Sequence, residues 1–82
     1  MHAQALERLI AEMVAQQEAK LLAFGRRLVP ELTGEDVLQP HDFVALRTSP
    51  EFNYEDGVLA GMRAVAAAVR AAARRPDRSP AG

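Results

Sequence analysis

Few residues in this sequence belong to the types that catalyse reactions or bind metals. His2 and His41 are the only histidines, and neither has a second histidine or a carboxylate at helical ligand spacing. Ser49 and Ser79 are the only serines, and the sequence indicates no Ser/His/Asp arrangement. The absence of cysteine excludes disulfides, thiolate chemistry and cysteine-based zinc sites. The sequence therefore predicts no catalytic residue, no metal site and no cofactor.

Two groups of charged residues remain as candidates for binding. Acidic residues near His41 could converge if the segment folds back, although helix capping and solvation also account for them: Asp42, Glu51, Glu55 and Asp56. Arginines could line a small-molecule site: Arg8, Arg26, Arg27, Arg47 and Arg63. Arg63, Arg70 and Arg74 also recur on one side of a predicted helix, where phosphates could bind. Two alternatives therefore stay open: a small helical enzyme or ligand-binding dimer, and a DNA-associated regulator.

Length and composition set limits on the kind of protein. Eighty-two residues form one domain at most, and such a small chain is often helped by a partner. The net charge of −1 gives no general attraction to nucleic acid or to a membrane surface. No apolar run is long enough to span a bilayer or to act as a signal peptide, so we expect a cytoplasmic protein. The richness in alanine and arginine is typical of bacterial coding sequences with high GC content.

The first long element predicted is an amphipathic helix over about residues 3–29. Apolar residues follow steps of three and four along it: Leu6, Leu9, Ile10, Met13, Val14, Leu21, Phe24 and Leu28. Gln17 interrupts this stripe, and we expect it to be exposed where the stripe drifts around the helix, although a polar residue in a seam can also fix register. Gly25 could kink the helix or admit close packing, and Pro30 ends it.

A connector of about 24 residues, 30–53, follows this helix. It is too apolar to be disordered, and Thr33 and Asp36 form a capping-box pattern that predicts a short turn at about 34–38. A second turn is predicted at about 41–47. Phe43, Leu46 and Phe52 are expected to plug the core. Three aromatic residues are candidates for contact with a partner: Phe43, Phe52 and Tyr54.

A second long helix is predicted over about residues 54–74, with Asn53 as its N-cap. An alternative start uses Ser49 as the cap and Pro50 as the first helical residue. Residues 1–75 would then form one helical domain, and the proline-rich residues 76–82 a disordered tail.

The surface of this second helix is made of small residues, which lets a neighbouring helix approach closely. The core stripe is predicted at Val58, Met62, Val65, Val69 and Ala72. The helix-packing interface is predicted at Val58, Ala60, Gly61, Met62, Ala64, Val65, Ala68 and Val69. One antiparallel hairpin is expected to leave these stripes partly uncovered, so the all-α fold is predicted to be a four-helix bundle formed by a homodimer. The sequence thus favours a small non-enzymatic interaction protein, an adaptor, subunit or regulator, whose partner is itself and in addition another protein.

Overall fold

The computed structural model describes residues 2–74, and all regular structure in that range is helical. The elements are α1 (Ala3–Leu28), two 3₁₀ turns (Asp36–Leu38 and Pro40–Asp42), α2 (Val44–Arg47) and α3 (Pro50–Arg74). The two long helices pack against each other, as predicted. The tail predicted over 76–82 lies outside the described residues.

The helix α1 ends where the sequence predicts. Pro30 disfavours helical geometry at the preceding residue, and the helix stops at Leu28. The Val29 amide donates to the Gly25 carbonyl at 2.7 Å. The Arg26 side chain then donates from Nε to the Leu32 carbonyl at 2.8 Å and holds the chain as it turns back.

Short helical turns form the connector, and its predicted capping box is present. The Thr33 amide donates to an Asp36 carboxylate oxygen at 3.0 Å, and the Asp36 amide donates to the Thr33 hydroxyl at 3.2 Å. This reciprocal pair starts the first 3₁₀ turn. Leu32, Val37 and Leu46 turn inward from the connector and are buried.

The start of α3 corrects one prediction, because the helix begins at Pro50 and Asn53 lies inside it. The Phe52 amide donates to the Ser49 hydroxyl at 3.1 Å, so Ser49 caps the helix. The Asn53 side chain donates instead to the Arg47 carbonyl at 2.9 Å. The earlier start is favoured because it buries Phe52 completely in the core.

The core lies at the end of the hairpin that carries the connector, which we call the closed end. Its fully buried side chains are Leu21, Leu32, Leu46, Phe52 and Leu59. Gly25 allows this packing, since a Cβ there would lie 2.5 Å from Leu32 Cδ2 and 3.3 Å from Phe52 Cε2.

At the opposite, open end, α1 and α3 pack against each other, and no other helical element among residues 2–74 lies there. The chain measures 53 × 18 × 18 Å, and its radius of gyration is 16.3 Å. A compact domain of this length would have a radius of gyration of about 12 Å. Within residues 2–74, the open end of the hairpin is therefore two helices without a third layer to cover them.

The line along which α3 meets α1 differs from the predicted stripe. Leu59, which the stripe omitted, is 2% exposed, whereas Val65 is 54% exposed. The helix has turned so that Leu59 and Ala66 face α1, and Val65 lies on the flank. Val58, Met62 and Val69 are half-buried between these positions, and Ala72 is exposed.

Candidate association surface

Gln17 fixes the register of α1 on α3, and its burial corrects the prediction that it is exposed. Its side chain is buried, and Nε2 donates to the Glu55 backbone carbonyl at 3.0 Å and to Glu55 Oε1 at 2.8 Å. A single amide thus satisfies a main-chain and a side-chain acceptor on the facing helix. These contacts agree with the alternative interpretation of the sequence, in which a polar residue in the apolar seam sets the register of the two helices.

Glu55 is held by two groups on α1. Lys20 Nζ lies 3.3 Å from the same Oε1 that accepts from Gln17. The hydrogen bond from Gln17 is the main cause that lowers the pKa of the Glu55 carboxyl; desolvation opposes it, and Lys20 adds to the lowering. The carboxylate is therefore ionised at neutral pH and joins the two helices.

One side of the hairpin is closed by ion pairs and by the connector. Arg63 lies 2.6 Å from Glu18, and Arg74 lies 3.9 Å from Glu7. Nearer the closed end, Val37 and Leu38 of the connector lie beside Leu22 on this side. We call this the charged side.

The opposite side of the hairpin is apolar at the open end. A groove there is lined only by apolar atoms of Ile10, Met13, Gly61, Met62 and Val65. Large apolar side chains are exposed beside it: Leu6 at 36%, Leu9 at 44% and Met13 at 45%. Exposed apolar residues scattered singly are ordinary, but a contiguous group of this kind marks an interaction surface.

Toward the closed end, the side that carries the apolar groove also bears charged residues. A second groove of about 580 Å³ is lined by Lys20, Ala23, Phe24, Arg27, Pro50, Glu51, Tyr54 and Glu55. The Arg27 guanidinium lies 4.8 Å from the centre of the Phe24 ring, and Tyr54 is 70% exposed. An exposed tyrosine beside a stacked arginine is the composition that protein interfaces favour.

The two grooves lie on one face because residues seven apart share a side of a helix. On α1 this line is Leu6, Met13, Lys20 and Arg27, and on α3 it is Glu51, Val58, Val65 and Ala72. We call the surface formed by these two lines and the grooves between them the open face. Each line is apolar near the open end and charged near the closed end.

The predicted interface residues lie in two places. Val58, Gly61, Met62, Val65 and Val69 belong to the open face or border it. The remaining three, Ala60, Ala64 and Ala68, are exposed in the single chain and do not take part in the contact with α1; of these, Ala68 lies at the edge of the open face. A Cβ added at Gly57 or Gly61 would meet nothing within 4 Å, so neither glycine serves close packing within the chain.

The three aromatic residues predicted as partner contacts are also separated. Phe52 is fully buried in the core and lies 6.3 Å from the Phe24 ring, and Phe43 is half-buried against the same core. Tyr54 is the exposed member of the three and lies on the open face.

Of the arginines and acids considered for chemistry, Arg27, Glu51 and Glu55 line one groove. Other arginines bind elsewhere. Arg63 pairs with Glu18, and Arg26 binds the Leu32 carbonyl. Among residues 2–74 no group of three or more histidines and carboxylates is placed to hold a metal ion. Within the same range, neither long helix has an apolar stretch sufficient to cross a bilayer.

No protein-family model, curated protein or solved structure matches this chain. The class that the fold defines is an all-α helical hairpin with one uncovered apolar face. Sequence reasoning missed the burial of Gln17 between the two helices and the exposure of Met13 on the open face. The heptad lines that cross from apolar to charged residues are the signal that could have located the open face.

Proposed function

We propose that this chain is a small non-enzymatic interaction protein that acts through helix–helix association, and that its first partner is a second copy of itself. Two hairpins packed through their open faces would form a four-helix bundle. The observation that carries the proposal is the contiguous apolar surface of Leu6, Leu9, Met13, Met62 and Val65 at the uncovered end of the hairpin.

The size of the open face suits a stable dimer. A face with the length and width of this hairpin covers roughly 900 Å², and each partner in a standard interface buries about 800 Å². The bundle would supply the third and fourth helices that the open end lacks, and it would enclose the apolar groove between Met13 and Met62. A small domain gains most of its missing core by such association.

The predicted alanine positions take different places in this bundle. Ala68 lies next to Val65 and Ala72 at the edge of the open face, where a small side chain permits close approach. Ala60 and Ala64 lie on the surface of α3 turned away from Leu59 and Ala66, which face α1. That outer surface stays exposed in the proposed dimer and is the surface left for the second protein partner expected from the sequence.

Sedimentation equilibrium of the wild-type chain beside two glutamate variants tests the proposal. Val65→Glu puts a charge at the centre of the open face and should shift the population to monomer, because a buried unpaired charge costs several kcal/mol. Ala67→Glu is the matched control; Ala67 is exposed in a groove that it shares with Arg70 and Arg74, off the open face. The control should leave the mass unchanged.

The same measurement has an outcome that would overturn the proposal. A wild-type chain that sediments at its own 8.9 kDa mass at all concentrations has no self-association for Val65 to disrupt. A dimer that resists Val65→Glu but dissociates with Ala64→Glu would move the interface to the outer surface of α3.

A further inference from the structure

We propose that two copies pack with their closed ends together, so that each α1 lies antiparallel to the partner's α3, and that Arg27 of each copy pairs with the partner's Glu51. This inference rests on the proposed self-association and specifies its orientation. The charged closed end of the open face then becomes a part of the interface to which each copy contributes one half.

The first support is the way in which the two heptad lines change along the hairpin. The α1 line has Leu6 and Met13 near the open end and Lys20 and Arg27 near the closed end. The α3 line has Ala72 and Val65 near the open end and the acid Glu51 near the closed end. With the closed ends together, Met13 meets the partner's Val65 and Arg27 meets the partner's Glu51. Lys20, which pairs with Glu55 in its own chain, lies opposite the partner's Val58.

The second support is the register. Within the chain, the facing pairs are Gln17 with Glu55, Glu18 with Arg63 and Glu7 with Arg74. In a pair of antiparallel helices, residues that lie at the same level have numbers whose sum is nearly constant. For these pairs the sum is between 72 and 81.

The proposed contacts between copies fall in the same register. Arg27 with the partner's Glu51, Met13 with the partner's Val65 and Leu6 with the partner's Ala72 each add to 78. The α1 helix would thus pack on the partner's α3 as it packs on its own, which is the arrangement of a regular antiparallel four-helix bundle.

The opposite orientation leaves Arg27 and Glu51 without partners. If the closed end of one copy lay at the open end of the other, Arg27 and Glu51 would each face the partner's Leu6 or Ala72. Desolvating a charge against apolar residues without a partner is unfavourable, and such penalties select one orientation over another.

Arg27 and Glu51 are available for this pairing. Both are exposed and line the same groove, and within residues 2–74 neither makes an ion pair in its own chain. Arg27 is held in place by its position over the Phe24 ring. A partly ordered guanidinium loses less freedom when it binds a carboxylate.

Distances between spin labels on the two copies test the orientation directly. The chain has no cysteine, so His41→Cys labels the closed end and Gln4→Cys labels the open end at exposed residues off the open face. With closed ends together, both label pairs should lie within roughly 35 Å, because a four-helix bundle is about two helix diameters wide. The opposite orientation would give both pairs distances near the 53 Å length of the hairpin, and that result would overturn the inference.

A charge-swap experiment tests the pairing of Arg27 with the partner's Glu51. Arg27→Glu alone and Glu51→Arg alone each place like charges at both crossings of a homodimer, and each should weaken dimerisation roughly tenfold. Mixing the two variants places opposite charges at both crossings and should restore affinity close to the wild-type level. Mixtures that dimerise no better than the separate variants would overturn the pairing.

Failure of the inference can be told apart from failure of the proposed function. A wild-type chain that gives the mass of a monomer and no distance between copies contradicts self-association itself. A dimer with long distances for both labels keeps the proposed function and rejects only this orientation.

Discussion

Replacing Gly25 with alanine should destabilise this chain, whereas the same replacement at Gly57 should stabilise it. A Cβ at Gly25 would lie 2.5 Å from Leu32 Cδ2, about 1 Å closer than carbon atoms approach at their optimal separation. Leu32 is 1% exposed and has little room to move, and the rigid Phe52 ring lies 3.3 Å from the same Cβ. A Cβ at Gly57 would meet nothing within 4 Å.

Two effects of opposite sign set the magnitude. Overpacking a filled core costs about 1–3 kcal/mol, and alanine favours the helix over glycine by about 1 kcal/mol. Gly25→Ala should therefore lower the free energy of unfolding by about 1 kcal/mol. Gly57→Ala retains only the favourable effect and should raise it by about 0.5–1 kcal/mol.

Urea denaturation at one fixed protein concentration measures both changes, because the stability of a self-associating chain depends on concentration. The midpoints of the two variants should move in opposite directions, and the melting temperatures by about 5 °C each way. Stabilisation of similar size in both variants would refute the close packing at Gly25. If contact with Leu32 causes the destabilisation, a double-mutant cycle that combines Gly25→Ala with Leu32→Ala should show a coupling energy of at least about 0.5 kcal/mol.

Three further predictions concern the polar contacts. Gln17→Ala should lower the free energy of unfolding by about 1–2 kcal/mol in urea, because it removes both hydrogen bonds to Glu55; an unchanged midpoint would contradict the role of Gln17 in register. Since the pKa of Glu55 is lowered from its ordinary value of 4.5, Glu55 stabilises the fold above pH 4.5, and this contribution is lost as the pH falls through the lowered pKa. In an acid titration, the helical circular-dichroism signal should therefore decrease less steeply for Glu55→Gln than for the wild type. Ser49→Ala should cost about 1 kcal/mol by loss of the cap on α3, while Ser49→Asp should retain most of the stability.

Local signals in the sequence were enough to predict most of the secondary structure. The apolar period and Pro30 set the extent of α1, and the capping box at Thr33 and Asp36 located the first turn of the connector. The start of α3 was less certain because Ser49 and Asn53 are both good caps. Burial of Phe52 decides between them, and burial is a tertiary property that no local pattern contains.

The candidate surface was harder to predict for the same reason. A polar residue in an apolar stripe can be exposed or can bind across the helices, and only the position of Glu55 on α3 shows that Gln17 does the second. The rotation of α3 that brings Leu59 rather than Val65 to face α1 also depends on packing. Alanine fits both at a helix crossing and at an exposed surface. The small residues of α3 therefore do not determine how the helix is rotated about its own axis.

Sedimentation velocity of the unmodified chain over a wide dilution series is the most direct measurement of self-association through the open face. We predict a species with twice the 8.9 kDa chain mass that gives way to the single chain on dilution. Self-association through the open face would be contradicted if the chain kept the single-chain mass at every concentration, with Met13 and Val65 as exposed in solution as they are in the hairpin.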